Sequence, residues 1–257
     1  MFDLHKEKAR VRMFHVKHGT DHVLSPEAIV EAASAVGYSL GTSQAVAIAV
    51  HAQLMLDANQ HINLTRITEP SAVLRLHIVD SLAWLPTVAG LHGPLVDIGS
   101  GAGYPGVPLA VALGLRVVLC ESIQKKADFL RRVVAEIGLD AEVFAGRAES
   151  LAMDRGEFAG TVVARAVAPV ASLVELAAPL LSVGGRLIAL KGALRDQEIE
   201  QGQSAARICG LEAGSVARYR LPDGDEMRTV VEFVKIGRAR IRLPRQLGKA
   251  QREPLGD

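Results

Sequence analysis

The apolar positions of this chain change their spacing near residue 94. Before it they recur at helical intervals. Ser25-Pro26-Glu27 offers a capping hydroxyl and then a proline at the first helical position, where its missing N–H leaves nothing unpaired. A second helix is predicted to open at Thr42 or Ser43 and to run to Asn59. It would turn Val46, Ile48, Ala49, Ala52, Met55 and Leu56 toward one side. A third fits residues 71–85 and stops at Pro86. Residues 25–92 therefore read as a helical part.

From Pro94 onward, short apolar runs alternate with helical stretches, the pattern of βαβ units and a parallel sheet. Strands are predicted at 95–98, 116–120, 141–145, 161–164 and 186–190, with helices at 105–113, 124–137, 170–181 and 194–209. Two further strands, 216–221 and 229–236, flank the turn Pro222-Asp223-Gly224-Asp225. So short a link requires them to pair antiparallel. The expected fold is α/β: a Rossmann-like seven-stranded sheet ending in an antiparallel C-terminal hairpin, preceded by the helical part. The expected divisions are 1–24, 25–92, 93–237 and 238–257.

Composition fits a globular chain: 257 residues, 49% hydrophobic and 22% charged. Cys120 and Cys209 are the two cysteines, too few for a disulfide framework. No run approaches the roughly 18 apolar residues that a membrane span needs. Residues 1–22 lack the apolar block of a signal peptide, so a cytoplasmic location is expected. Met13 is an alternative first residue. None of the eight histidines lies beyond His92, and no Cys–His spacing suits zinc, so no metal site is expected.

Charge alters the picture more than composition does. The net charge of +1 conceals a stretch from Lys235 to Arg252 with seven basic residues and no acidic one. Residues 1–22 add Lys6, Lys8, Arg10, Arg12 and Lys17 with four histidines, and this end is expected to be disordered. Two basic ends suggest a polyanionic partner. Pro244 interrupts the C-terminal stretch, which reads as a flexible arm able to neutralise phosphate.

Candidate chemistry begins where the first strand stops. Asp97-Ile98-Gly99-Ser100-Gly101-Ala102-Gly103-Tyr104-Pro105-Gly106 lets the chain turn sharply and lets a ligand approach bare backbone ahead of a helix N-terminus. Gly99-x-Gly101-x-Gly103 is the spacing of S-adenosylmethionine-dependent methyltransferases. Shifted by two, Gly101-x-Gly103-x-x-Gly106 also satisfies the dinucleotide fingerprint of a nicotinamide-dependent oxidoreductase. Glu121 ends the second strand where either class places a carboxylate on ribose hydroxyls. Two features favour the methyl donor. Asp97 places a second carboxylate beside the loop, which suits a sulfonium cation and repels a pyrophosphate, and the terminal hairpin is absent from ordinary dinucleotide-binding sheets.

Several separated motifs then agree. Asn63-Leu64-Thr65, His77-Ile78-Val79-Asp80-Ser81, the glycine loop, Ala164-Arg165-Ala166-Val167-Ala168 and Ala189-Leu190-Lys191-Gly192 occur in one order and spacing over roughly residues 43–245. Together they resemble the bacterial small-subunit ribosomal RNA methyltransferase G family. The resemblance implies the class I methyltransferase fold and transfer of a methyl group from S-adenosylmethionine to N7 of one guanine in the 530 loop of 16S rRNA. It implies 16S rRNA or a small-subunit precursor as partner, and a monomer is expected. It carries donor binding onto Gly99, Tyr104, Ala148, Glu149 and Arg165, beside the Asp97, Gly101 and Glu121 already singled out. Tyr104 stands where the family more often has leucine or phenylalanine.

Guanine N7 bears a lone pair and no proton, so the implied transfer needs no general base. His77 and Asp80, three apart on a helix, read as a buried pair fixing the helical part to the sheet. Asn63 and Thr65 read as a loop anchor, and Lys191 as a cleft residue that either touches phosphate or is solvated. Arg165 follows the fourth strand, at the carboxyl end of the sheet, where open α/β folds bind ligands. Its guanidinium is a fork for guanine O6, phosphate or a donor group, and the counter-reading pairs it with Glu149. A methyltransferase acting on something other than RNA remains an alternative at this point.

Overall fold

The computed structural model describes residues 24–88, 90–165 and 167–256. The basic, histidine-rich residues 1–22 lie outside the described residues.

Seven strands form one sheet in the order β3-β2-β1-β4-β5-β7-β6. They are β1 (Leu95–Ile98), β2 (Val117–Glu121), β3 (Ala141–Ala145), β4 (Ala159–Arg165), β5 (Leu181–Lys191), β6 (Leu211–Arg220) and β7 (Met227–Lys235). The first five pair in parallel, with Leu95 opposite Val117 on one side and Thr161 on the other. β7 enters antiparallel beside β5, with Ile188 opposite Glu232, and β6 closes the hairpin. Strand order reverses between β1 and β4, and at such a switch point a crevice opens above the carboxyl ends.

Alternate strand residues face opposite ways, so the sheet builds two cores. Leu95, Leu119, Val163 and Ile188 face the helical part together with α5 (Gly106–Leu113) and α6 (Gln124–Ile137). Val96, Val118, Val162 and Leu187 face α7 (Ala148–Arg155), α8 (Val170–Ala177) and α9 (Asp196–Cys209). Both faces are covered, which is why these strands read as continuous apolar runs.

In the helical part, Ser25 caps α1 (Pro26–Ala35) by accepting from the Ala28 N–H at 3.2 Å. α2 (Thr42–Asn59) turns Ala45, Ile48, His51, Ala52 and Met55 inward. Val46, expected on that face, is instead 42% exposed. The inward row runs one position earlier than predicted because it includes a polar residue, His51, which an apolar count skips. The single helix predicted over 71–85 is four short pieces: α3 (Pro70–Val73), a π-helical stretch Leu74–Val79, α4 (Asp80–Leu82) and a tight 3-10 turn Leu85–Thr87. Likewise the helix predicted over 170–181 ends at Ala177, and β5 begins at Leu181.

The C-terminal segment is not a flexible arm. Arg245 forks onto Glu175 of α8 at 2.6 and 2.5 Å, Ala250 of the short α10 (Lys249–Arg252) is 2% exposed, and the Arg240 N–H donates to the Ile208 carbonyl at 2.8 Å. An apolar residue and a buried acidic partner on another helix fasten a stretch whose composition alone reads as solvated.

Candidate functional site

The loop between β1 and α5 is held from three directions. The Gly99 and Ser100 N–H groups donate to the Cys120 carbonyl at 2.8 and 3.1 Å. The Gly101 N–H donates to Glu121 Oε2 at 2.9 Å, and Glu121 Oε1 accepts from the Ile123 N–H at 2.7 Å. Asp97 Oδ2 accepts from the Gly106 N–H at 3.1 Å. Gly99 has φ +70°, and a Cβ there would lie 2.8 Å from Val167 Cγ2. No side chain fits at that position. A Cβ on Gly101 would meet nothing nearer than the Gly99 carbonyl at 3.8 Å, so that side of the loop is open.

The open side faces a cavity of about 530 Å³ at the carboxyl end of the sheet, within the usual range of roughly 300–1,000 Å³ for ligand sites. Gly99, Gly101, Tyr104, Arg165, Lys191 and Arg228 are among its walls. A smaller cavity shares Gly99 and continues past Cys120, Gly146, Ala148 and Glu149. Gly99, Gly101, Tyr104 and Arg165 line the larger cavity, Ala148 and Glu149 line the smaller, and Gly99 borders both. Asp97 and Glu121 line neither. The Asp97 carboxyl sits beneath the loop, 1% exposed, and ties its two ends, and Glu121 braces the loop from β2. Burial, opposed chiefly by the Gly106 N–H and by Arg165, raises Asp97 to about 7.

Arg165, the last residue of β4, meets the helical part. Its Nη1 donates to the Leu76 carbonyl at 3.2 Å and to Asp80 Oδ2 at 3.3 Å, and its Nη2 donates to His77 Nδ1 at 3.3 Å. Asp80 Oδ1 accepts from Arg228 Nε at 2.8 Å, so one carboxylate bridges two guanidiniums. The alternative Arg165–Glu149 pair does not form. Because His77 Nδ1 accepts, its Nε2 carries the proton and donates to Thr65 Oγ1 at 3.0 Å. The π-helical stretch delivers both Leu76 and His77 to Arg165. Asp80 and His77 do anchor the helical part to the sheet as the sequence suggests, and the point they anchor is Arg165. Asn59, not Asn63, holds the 63–65 loop by accepting from the Leu64 and Thr65 N–H groups at 2.8 and 3.0 Å.

Tyr104 is clamped between the rings of His51 and His77, at centroid distances of 4.4 and 4.6 Å. Burial lowers His51 to about 4. Burial and the neighbouring Arg165 lower His77 to about 3. Both are neutral at physiological pH; His77 Nδ1 already accepts from Arg165, His51 is fully buried and Asp80 is held between arginines, so this wall offers stacking and positive charge rather than a free proton acceptor. Lys191 Nζ donates to the Ala168 carbonyl at 2.9 Å and lies 3.0 Å from Glu198, so it is held rather than solvated. Arg228 and His51 escaped the sequence reading. Arg228 sits 148 residues from Asp80 and carried no motif.

The sheet with its reversed β7 and the glycine loop over an open crevice define a Rossmann-like, S-adenosylmethionine-dependent methyltransferase. The chain belongs to the rRNA small subunit methyltransferase G family, whose model matches residues 44–224. The ribosomal RNA small subunit methyltransferase G of Pelotomaculum thermopropionicum is 37% identical over 234 residues, spanning 89% of this chain and 98% of that one. Its counterpart in Streptococcus pyogenes serotype M49 is 38% identical over 232 residues, spanning 85% and 94%. A crystal structure of MtNAS in complex with MTA and tNA shares the fold, with a TM-score of 0.50 at 18% identity over 76% of this chain and 75% of that one. The protein is therefore an rRNA methyltransferase, and the oxidoreductase alternative falls.

Proposed function

We propose that the chain transfers a methyl group to N7 of a single guanine in the 530 loop of 16S rRNA, acting as a cytoplasmic monomer on the rRNA or a small-subunit precursor. S-adenosylmethionine supplies an electrophilic methyl on a sulfonium. The residues present fit such a donor: the loop is open at Gly101, and Gly99 borders both the larger and the smaller cavity. Gly99, Gly101, Tyr104 and Arg165 would hold its amino-acid end, and Ala148 and Glu149 would flank its purine. Asp97 and Glu121 would act through the loop by fixing its shape.

The observation that carries the acceptor reading is the wall opposite the loop. Arg165 and Arg228 share Asp80, Arg165 also occupies His77 Nδ1, and His51 is fully buried, so the wall attracts a nucleotide and offers no free base. N7 of guanine needs none. What the chain contributes is alignment of nucleophile and methyl, and positioning of that kind accounts for roughly 7–11 kcal/mol of a barrier. Arginine is suited to the task because its fork can hold guanine O6 or a flanking phosphate while leaving the N7 lone pair free for the methyl. Mapping 7-methylguanosine in 16S rRNA from cells with and without the protein tests this. Loss of one 530-loop site on deletion supports it, and an unchanged map overturns it.

A further inference from the structure

Three aromatic side chains line the larger cavity, and two of them are already engaged. Tyr104 is clamped between the rings of His51 and His77. His77 gives one ring face to Tyr104, its Nδ1 to Arg165 and its Nε2 to Thr65. The third is Tyr219 of β6. Among the described residues it has no stacked ring, no overlying cation and no hydrogen-bond partner. Tyr219 is nevertheless held in place. It stands directly opposite Arg228 in the hairpin, and residues so opposed share a face of the sheet. Half-buried, it packs against the apolar cluster that contains Leu190 and Val230. Burial, reinforced by Asp80 and opposed by Arg228 and Arg165, raises its phenol well above the ordinary value, so the ring is neutral at physiological pH. The charges that act on it are those of the Arg165–Asp80–Arg228 wall.

We propose that Tyr219 is the platform on which the acceptor base stacks in front of that wall. The proposal rests on the acceptor reading given above, an unpaired base of ribosomal RNA brought to the methyl. A base drawn out of its own stack loses its neighbours, and an aromatic ring in the pocket replaces one of them. The two kinds of contact do different work. Guanidiniums hold the rim of a base, whereas a ring face fixes the tilt of its plane, and in-line transfer needs both. Stacking uses the ring of Tyr219 and not its hydroxyl.

Steady-state methylation by the full chain tests this, with 16S rRNA and small-subunit particles from cells lacking the protein as acceptors. Tyr219→Phe keeps the ring and should keep the native KM for the acceptor within about twofold. Tyr219→Leu and Tyr219→Gln keep bulk at a half-buried position but lose the ring. Both should lower kcat/KM for the acceptor at least about fivefold, the low end for loss of one base–aromatic stack, chiefly through KM. Their affinity for S-adenosylhomocysteine, by calorimetric titration, should match the native chain, which also reports an intact fold. All three variants alike, whether active or impaired, overturn the platform. An equal loss of S-adenosylhomocysteine affinity in Tyr219→Leu and Tyr219→Gln overturns it too, since Tyr219 then serves the donor. A native chain that methylates neither acceptor instead overturns the acceptor reading on which the proposal rests.

Discussion

Asp97 is a residue whose place in a motif the sequence shows and whose surroundings it does not. Its position beside the glycine loop was legible, and its burial was not, because burial depends on β2 and on Gly106 meeting it from two sides. The consequence is measurable. Its folded pKa of about 7 lies above the model-peptide value of 3.8, so between those limits the folded state holds a proton the unfolded chain has released. The stability it contributes is full below pH 3.8 and is lost as pH rises through 7. His51 and His77 have the opposite slope, since their folded values are depressed and acid favours the unfolded chain. Subtracting an Asp97→Asn variant isolates the carboxyl. Native stability relative to the variant should fall by about 1.4 kcal/mol per pH unit between pH 5 and 7 and flatten above that, by denaturant titration. A flat difference across the range would sink this account.

At the scale of elements, most strands and α6 were legible because apolar runs and amphipathic stretches report local burial directly. α7 was missed: eight residues beginning Ala148-Glu149 carry too little periodicity to separate a helix from a loop. The π-helical stretch was invisible for a different reason. Nothing in Leu74–Val79 forbids an α-helix, and the widened turn is held from outside, by Arg165 bonding the Leu76 carbonyl and His77. Asp80, just beyond it, therefore serves two elements at once. Asp80→Asn leaves two guanidiniums facing a neutral amide in a site where the carboxylate is 6% exposed, and breaking such a buried pair costs about 3 kcal/mol. The variant should lose that stability and, while still folded at low temperature, methylate rRNA at least tenfold more slowly because Arg165 is no longer fixed. Arg165→Ala should match the rate loss. Full activity in folded Asp80→Asn would show that Arg165 needs no such support.

Across the whole molecule, the basic C-terminal stretch divides into two sets by what it touches. Lys235 is 2% exposed and donates to the Ala178 carbonyl at 2.8 Å, and Arg245 is spent on Glu175, so neither is available to phosphate. Arg238, Arg240 and Arg242 are exposed on the ordered run between β7 and α10. The charge count read from the sequence thus overstates the electrostatic footprint, while the folded backbone gives the remaining charges fixed positions. Each phosphate neutralised by one of them adds about 0.7–0.9 to the slope of log affinity against log salt. Replacing all three with glutamine should leave S-adenosylhomocysteine binding and melting temperature unchanged, weaken rRNA binding, and reduce that slope by about 2. Arg245→Gln should behave oppositely: it destabilises the C-terminal segment by freeing Glu175, and it changes the salt slope little. Filter binding of 16S rRNA across 50–300 mM salt separates the two, and equal slopes for the triple variant and the native chain would remove this run from the RNA interface.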